Sequence, residues 1–351
     1  MNNILFAITK GEIGGAQKFV KEQIDITSTF FNVHLCTNEE GWLSKQCVNN
    51  IKGHLFNKQI EGKSSLLFLL DLYKYIKKNK ISLVITNSAN AGFYGRLAAF
   101  FAKVPSCYIS HGWSSVYNGG KLSGILNFIE KILSIISNKV ICVSDNDYRI
   151  AINKIGIAPA KLQVVKNAIF PITNEASPSK KNETFTVIAL ARFAKPKRID
   201  LMVETFKNLP IFQLHIAGDG PELKYWQEYI DVNKINNVIL LGEVASFNQF
   251  YNYNAFLLVS DSEGLPISAI EAMSAGLPLI LSNVGGCAEL VNANGLLVDN
   301  TVDDIVKAIF KVQIEQYEMA AKSLQLYNQH YNLNNNINEY VSTYLQLIIP
   351  N

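Results

Sequence analysis

Asp261-Ser262-Glu263-Gly264-Leu265-Pro266-Ile267-Ser268-Ala269-Ile270-Glu271-Ala272-Met273-Ser274-Ala275-Gly276-Leu277-Pro278 is the stretch on which the fold turns. An apolar run stops at Val259-Ser260, so a strand hands over to a loop carrying Glu263 and Gly264. Pro266 suits the first position of a helix, where its missing N–H leaves nothing unsatisfied. Gly276 suits the helix end, and Pro278 prevents continuation. The start of such a helix offers free N–H groups and the positive end of its dipole to an anion. Glu271 falls inside this helix and Glu263 ahead of it. Carboxylates so placed can accept hydrogen bonds from sugar hydroxyls while the helix end holds phosphate.

The same strand–helix alternation runs outward in both directions. Short apolar runs at Ile4–Ile8, Leu83–Thr86, Ser106–Ile109, Val140–Val143, Phe185–Leu190, Gln213–Ala217, Val238–Leu241, Ala255–Val259 and Leu279–Leu281 read as strands. Helical stretches such as Ala16–Thr27, Leu66–Lys77, Ile125–Ser134 and Leu201–Lys207 lie between them. Continuous apolar strands are buried on both faces, which means parallel sheet and right-handed crossovers. The polar stretch 171–182, with Pro171 and Pro178, reads as a linker. The expected architecture is therefore α/β, with two facing Rossmann-like domains at 1–170 and 183–325 and a ligand cleft between them. The tail, 326–351, holds an amphipathic pattern at Ile337, Val341, Tyr344, Leu345 and Ile348 that can pack back on the first domain. The Asn-rich run Asn332–Asn338 reads as a loop leading into it.

Composition narrows the function. The 351 residues are 48% hydrophobic and 17% charged, enough for two cores. The five Cys lack metal or redox spacing and read as reduced thiols, which suits the cytoplasm. No export signal or membrane span is expected; Ile125 to Val143 comes nearest, but Glu130, Lys131, Asn138 and Lys139 interrupt it. The net charge of +3 conceals an asymmetry: residues 1–170 carry 20 Lys+Arg against 10 Asp+Glu, whereas the rest carry 12 against 19. A basic half can attract anionic lipid or a phosphorylated substrate. No nucleic-acid motif is present. The segment Lys121–Lys139, apolar with Lys at both ends, reads as a buried core helix, with docking on a bilayer as the alternative.

The quoted stretch resembles the Glu-x7-Glu motif of the family 4 (group 1) retaining glycosyltransferases of GT-B fold. Val284-Gly285-Gly286-Cys287-Ala288-Glu289-Leu290-Val291 and Asn294-Gly295-Leu296-Leu297-Val298 are similar to that family's next loop, helix and strand. Ala217-Gly218-Asp219-Gly220-Pro221-Glu222-Leu223 resembles its Gly-x-Gly-Pro turn. The resemblance implies that Glu271 holds the nucleotide ribose and Glu263 the donor sugar. The amides of Gly264 and Leu265 would contact sugar hydroxyls, and Gly218 would line the donor site.

Ala189-Leu190-Ala191-Arg192-Phe193-Ala194-Lys195-Pro196-Lys197-Arg198 resembles the family's Gly-Arg-x4-Lys-Gly loop. By that likeness Arg192 and Lys197 grip the diphosphate. Ala191 replaces the usual Gly and Arg198 the Gly after the Lys, so Lys195 and Arg198 compete for the second cationic role. The Gly14-Gly15 loop resembles the family's N-terminal loop near the donor β-phosphate and acceptor, and lacks the order of a dinucleotide fingerprint. His111, after an expected strand, would lie by the donor sugar, and Asn167-Ala168 would serve domain closure.

The resemblance implies transfer of a sugar, with retention, from a UDP-sugar, or else a GDP-sugar, to a saccharide or a lipid-pyrophosphate-linked saccharide. The expected setting is bacterial surface polysaccharide synthesis, with the protein cytoplasmic and peripheral at the inner face of the membrane. The family's route is front-face, with the leaving phosphate taking the acceptor proton. With fixed cations available and no Asp-x-Asp cluster in the donor half, no cofactor and no essential metal is expected. The rival readings are a GT-B sugar-nucleotide epimerase, a glycogen-synthase-like polymerase, a non-catalytic nucleotide-sugar-binding subunit and, against the missing fingerprint, a nicotinamide dehydrogenase.

Overall fold

The computed structural model describes residues 1–62, 65–117, 119–172, 184–244, 247–349. They divide into two compact units, Met1–Asn167 with Asn334–Asn351, and Ala168–Leu333. Most of the expected linker, 173–182, lies outside the described residues.

The first unit is built on β1 (Asn3–Ile8), β2 (Asn32–Thr37), β3 (Ile51–Phe56), β4 (Ile81–Asn87), β5 (Ser106–Ser110), β6 (Lys139–Cys142) and β7 (Leu162–Val164). They form one seven-stranded sheet in the order β3-β2-β1-β4-β5-β6-β7. Every pairing is parallel. The crossovers carry α1 (Gly15–Thr27), α2 (Trp42–Gln46), α3 (Leu66–Lys78), α4 (Ala89–Ala102), α5 (Ser114–Tyr117), α6 (Ser123–Ile136) and α7 (Asp145–Ile150). Leu5, Ala7 and Val84 pack with Phe68, Leu72 and Ile76 of α3 and Ala98 of α4 in one buried cluster. The strands β4 and β5 are buried nearly throughout because both sheet faces are covered.

The second unit places β8 (Thr186–Leu190), β9 (Gln213–Ala217), β10 (Val238–Gly242), β11 (Ala255–Leu258), β12 (Leu279–Ser282) and β13 (Gly295–Val298) in the order β10-β9-β8-β11-β12-β13, again parallel. Its helices are α8 (Ile199–Lys207), α9 (Leu223–Val232), α10 (Ile267–Ser274) and α11 (Val302–Leu326). Val187, Leu214 and Leu257 pack with Met202, Phe206, Ile309 and Val312 in its core.

The last helix, α12 (Leu333–Ile348), returns to the first unit. Tyr344 packs edge-on against Phe6 at 6.2 Å, and its hydroxyl bonds Gln23 Oε1 at 2.9 Å. Tyr340 donates to the Lys166 carbonyl at 2.7 Å.

Three local expectations are corrected. Asn334 to Asn336 lie in the first turn of α12, not in a loop, because the fully buried Leu333 starts the helix and its N–H bonds the Ile169 carbonyl at 2.8 Å. Asparagine is poor in helix interiors but suits a helix start. Pro266 is extended and caps α10 from outside, so the helix begins at Ile267. The third correction concerns α6. Only Glu130, Leu133 and Ser134 of that helix are buried, and its apolar residues face out, contrary to a core helix. The reason lies in α4, where fully buried Arg96 stacks over the Tyr108 ring at 4.2 Å and needs a carboxylate. Glu130 supplies it at 2.8 Å, which fixes the polar side of α6 inward.

Candidate active site

In a parallel sheet the crevice for ligands opens where the strand order reverses, beyond the carboxyl ends. In the second unit that place is between β8 and β11. The loop after β8 carries Arg192, Lys195 and Lys197, and the loop after β11 carries Glu263 and Gly264. The two loops are stitched together by backbone bonds, Arg198 N–H to the Val259 carbonyl at 3.0 Å and Asp261 N–H to the Pro196 carbonyl at 2.8 Å. Across this seam the Lys197 ammonium is hydrogen-bonded to Glu263 Oε1, with both side chains largely buried. Buried Cys287 lies beside them: burial first, and then the Glu263 charge, push its thiol up while Lys197 opposes.

Two further loops press in, and glycine is needed where they do. Gly218 has φ +151°, and a Cβ there would collide with the Ala191 carbonyl oxygen. Gly285 has φ +54°, and a Cβ would run into the carbonyl oxygen of Glu263. Gly286 N–H bonds the Gly264 carbonyl at 2.8 Å. Loops from β8, β9, β11 and β12 thus converge at one edge.

The helix α10 starts at this edge, with Gly264 and Leu265 buried just ahead of it and Glu271 8% exposed within it. Its far end is closed by Gly276, φ +74°, whose N–H bonds the Met273 carbonyl while Leu277 N–H bonds that of Ala272 at 3.0 Å. That pairing is a Schellman motif.

The three basic candidates next to Arg192 separate clearly. Arg198 is held by Asp200, with Nη2 2.7 Å from Oδ2, and by Asp261 at 3.2 Å. Hydrogen bonding to Asp200 is the leading cause that raises its pKa, and Asp200, which burial alone would push up, is brought below its ordinary range by the same arginine. Lys195 is exposed, and Lys197 sits against Glu263. Arg192 is exposed and has no side-chain partner among the described residues.

In the first unit the order reverses between β1 and β4. Gly14 precedes α1 in an extended conformation, and Gly15 opens the helix. A Cβ at Gly15 would meet nothing within 4 Å, so its neighbours do not require glycine there. His111 follows β5 and packs edge-on against Phe19 of α1 at 4.8 Å. Its Nε2 donates to Asn87 Oδ1 at 2.8 Å, which leaves Nδ1 as an acceptor. Burial lowers the imidazole pKa to about 4, so the ring is neutral at neutral pH.

Sequence reading missed Asn87, Thr9 and Ser88. Ser88 adopts φ +72° ahead of α4, and its Oγ lies 2.7 Å from Thr9 Oγ1 and accepts from Thr9 N–H at 3.1 Å. The one available signal was polar residues ending two apolar strands. Asp261 and Asn300 were also missed; Asn300 Nδ2 donates to the Ser260 carbonyl at 3.0 Å and braces the Glu263 loop.

The family profile described as "Glycosyl transferases group 1" matches residues 172–332, and "Glycosyltransferase Family 4" matches residues 13–171. The O-antigen biosynthesis glycosyltransferase WbnH of Escherichia coli is 39% identical over 346 residues, covering 93% of this chain and 100% of the relative. The chain belongs to the group 1 glycosyltransferases. Another relative of this glycosyltransferase is the E. coli UDP-Gal:alpha-D-GlcNAc-diphosphoundecaprenol alpha-1,3-galactosyltransferase, 26% identical, covering 86% of this chain and 85% of that one. In fold the glycosyltransferase is similar to the crystal structure of Anabaena HepE in complex with UDP-glucose, with a TM-score of 0.85, 19% identity and coverage of 98% and 99%. The two parallel-sheet units are those of the GT-B fold.

Proposed function

We propose that this glycosyltransferase moves a sugar, with retention of anomeric configuration, from a UDP-sugar to a lipid-pyrophosphate-linked saccharide during O-antigen-type polysaccharide synthesis. The observation that carries the reading is the Lys197–Glu263 pair at the β8–β11 reversal, between exposed Arg192 and the start of α10. Cleavage of the donor C1–O bond leaves negative charge on the diphosphate, and fixed cations and a helix start stabilise it with little reorganisation. Arg192 and Lys197 take that role. Arg198, whose charge is already met by two carboxylates, is less suited to it.

Glu271 accepts from the ribose hydroxyls. Glu263, oriented by Lys197, accepts from a hydroxyl of the donor sugar, and the amides of Gly264 and Leu265 and the turn at Gly218 complete the donor site. In its own unit, His111 offers Nδ1 to a sugar hydroxyl, and Gly14 and Gly15 leave the start of α1 open to phosphate. As the donor bond breaks, the acceptor oxygen bonds C1 on the same face. Its proton passes to the leaving phosphate oxygen, and UDP departs. The cations do what a divalent metal does in other phosphoryl sites, so no essential metal is proposed.

The relatives' names support the donor and acceptor classes: one uses UDP-Gal and a diphosphoundecaprenol-linked sugar, and another serves O-antigen biosynthesis. A lipid-linked acceptor would be met at the inner membrane face, with the protein peripheral there. No described helix is long and apolar enough to cross a membrane.

The test is transfer from UDP-, GDP- and ADP-sugars to a lipid-pyrophosphate sugar, with product stereochemistry read by NMR and EDTA in one arm. Thermal stability should rise with the correct nucleotide, by roughly 2.7 kcal/mol at a hundred times its Kd. Glu263→Gln should abolish transfer while UDP still stabilises. An inverted product, a GDP or ADP donor, or loss of activity in EDTA would each overturn the corresponding part.

A further inference from the structure

The helix α6 is amphipathic in the inverse sense. Ile125, Phe128, Ile132 and Ile135 are 60%, 62%, 45% and 66% exposed, while Glu130 and Ser134 are buried. Positions 125, 128, 129, 132 and 135 repeat with helical spacing, so the apolar side chains form one stripe facing solvent. The helix α4, which contacts α6, exposes Phe100 and Phe101 in its last turn, 53% and 58%.

This orientation is built in. Glu130 meets the fully buried Arg96 guanidinium at 2.8 Å, and Arg96 Nε also donates to the Gly92 carbonyl at 2.8 Å. Rolling α6 to hide its stripe would leave a buried arginine charge uncompensated. Lys161 holds the end of α6 by donating to the carbonyl of Ser137 at 2.6 Å.

The charges around the stripe have one sign. From Leu97 to Ser144 the acidic residue is Glu130 alone, and it is buried; Lys103, Lys121, Lys131 and Lys139 are the bases. Lys103, Lys121 and Lys131 are exposed.

We propose that the outward face of α6, with Phe100 and Phe101 of α4, docks the protein on an anionic phospholipid bilayer. A shallow apolar stripe with a lysine fringe matches the boundary between acyl chains and anionic headgroups. A second copy of the chain fits poorly, because a two-fold pairing of this face would set lysines against lysines. The proposal rests in part on the lipid-linked acceptor reading above, since it names the surface where such an acceptor is met. Its observations are nonetheless confined to the first unit.

The experiment is flotation of the full chain with vesicles of equimolar phosphatidylglycerol and phosphatidylcholine, and with phosphatidylcholine alone, without donor or acceptor. The wild type should float with the anionic vesicles and lose most of its binding when salt is raised. The variant Ile125→Gln/Phe128→Gln/Ile132→Gln, which keeps helix propensity, should bind about tenfold less or worse. Lys121→Gln/Lys131→Gln, on an unaltered stripe, should show a similar direction of loss toward the anionic vesicles only. Melting temperature and its rise with UDP, unchanged in both variants, separate lost docking from lost folding.

The proposal is overturned if the wild type ignores anionic vesicles, or if both variants bind as well as wild type. It is also overturned if the wild type is a dimer that the glutamine triple variant dissociates while neither binds vesicles. Failure of UDP to stabilise the wild type, with vesicle binding intact, would sink the donor reading and leave the docking surface standing.

Discussion

Both units carry loops beyond the strands where the sheet order turns, β1 and β4 in one, β8 and β11 in the other, yet the side chains gathered there differ in kind. The second unit collects formal charge: Arg192 in the open, Lys197 on Glu263, and Arg198 between Asp200 and Asp261. In the first, the less exposed pairs are neutral, His111 on Asn87 and Thr9 on Ser88, and the ion pair on the loop after β1, Lys10–Glu12 at 3.2 Å, is exposed. A diphosphate leaving group needs fixed cations as its charge grows. A sugar hydroxyl needs hydrogen-bond partners that stay neutral and hold their direction. The division of polar chemistry between the units therefore follows the two ends of the reaction proposed.

The sharpest way to break this comparison is to remove charge from one side and polarity from the other. Arg192→Ala should lower kcat/KM by about 10²–10³, or about 3–4 kcal/mol, the cost of losing one donor aimed at developing charge. Because Arg192 is exposed, the melting temperature should stay put. His111→Ala should cost less in rate, since a neutral ring contributes a hydrogen bond and no charge. If the two variants lost equal activity, the contrast between the units would fail.

Backbone geometry gives the next effect. Gly218→Ala forces a side chain at φ +151° against the Ala191 carbonyl. The expected loss is about 2–3 kcal/mol of stability, read by urea unfolding, with the Arg192 loop displaced and UDP binding weakened. Gly15→Ala is the control from the first unit: its Cβ would enter open space, so stability should hold. A change in activity there without a change in stability would locate ligand, not protein, beside that glycine.

Much of this could be read from residues in order, and the failures have physical causes. The β8, β9, β11 and β12 loops were legible through the family resemblance and, around α10, through local backbone demands, proline ahead of the helix and glycine after it; that Gly218 and Gly285 are glycines because loops touch there is seen in the structure. The helix α6 was misjudged because periodicity identifies a stripe but not which side the neighbours cover. That choice was made by Arg96, on another helix. The strands β2 and β3 were overlooked for a similar reason. His34 and Lys52 interrupt their apolar runs, and His34 is accommodated by a 2.9 Å bond to the Tyr75 hydroxyl that sequence does not display. The Lys197–Glu263 contact is likewise a product of loop convergence between β8 and β11.

A smaller effect concerns pH. The folded protein keeps His111 neutral down to about pH 4, whereas the unfolded chain protonates it near 6.5. Between those values the unfolded state binds more protons, so stability is full above about pH 6.5 and is lost as pH falls toward 4. Burial lowers the pKa of His34 in the first unit and His215 in the second, with the same sign. His111→Gln should remove about 1–2 kcal/mol of the acid-side slope, allowing for the partial exposure of the ring. A slope unchanged by that substitution would mean that the imidazole is not held neutral.

Lys195 should show the smallest effect and makes the finest distinction. It shares a loop with Arg192 and Lys197 and is exposed, whereas Lys197 reaches across the seam to Glu263. An exposed lysine far from a fixed partner contributes little to stability or to a preorganised site, so Lys195→Ala should shift kcat/KM and melting temperature by under ~0.5 kcal/mol. Lys197→Ala should do more than remove a cation: it leaves Glu263 largely buried without its partner, so both donor binding and rate should fall. Were Lys195→Ala the more damaging of the two, the diphosphate would have to sit on the open side of the loop, away from Glu263. The charged seam would then be a structural brace and not the place where the donor bond is broken.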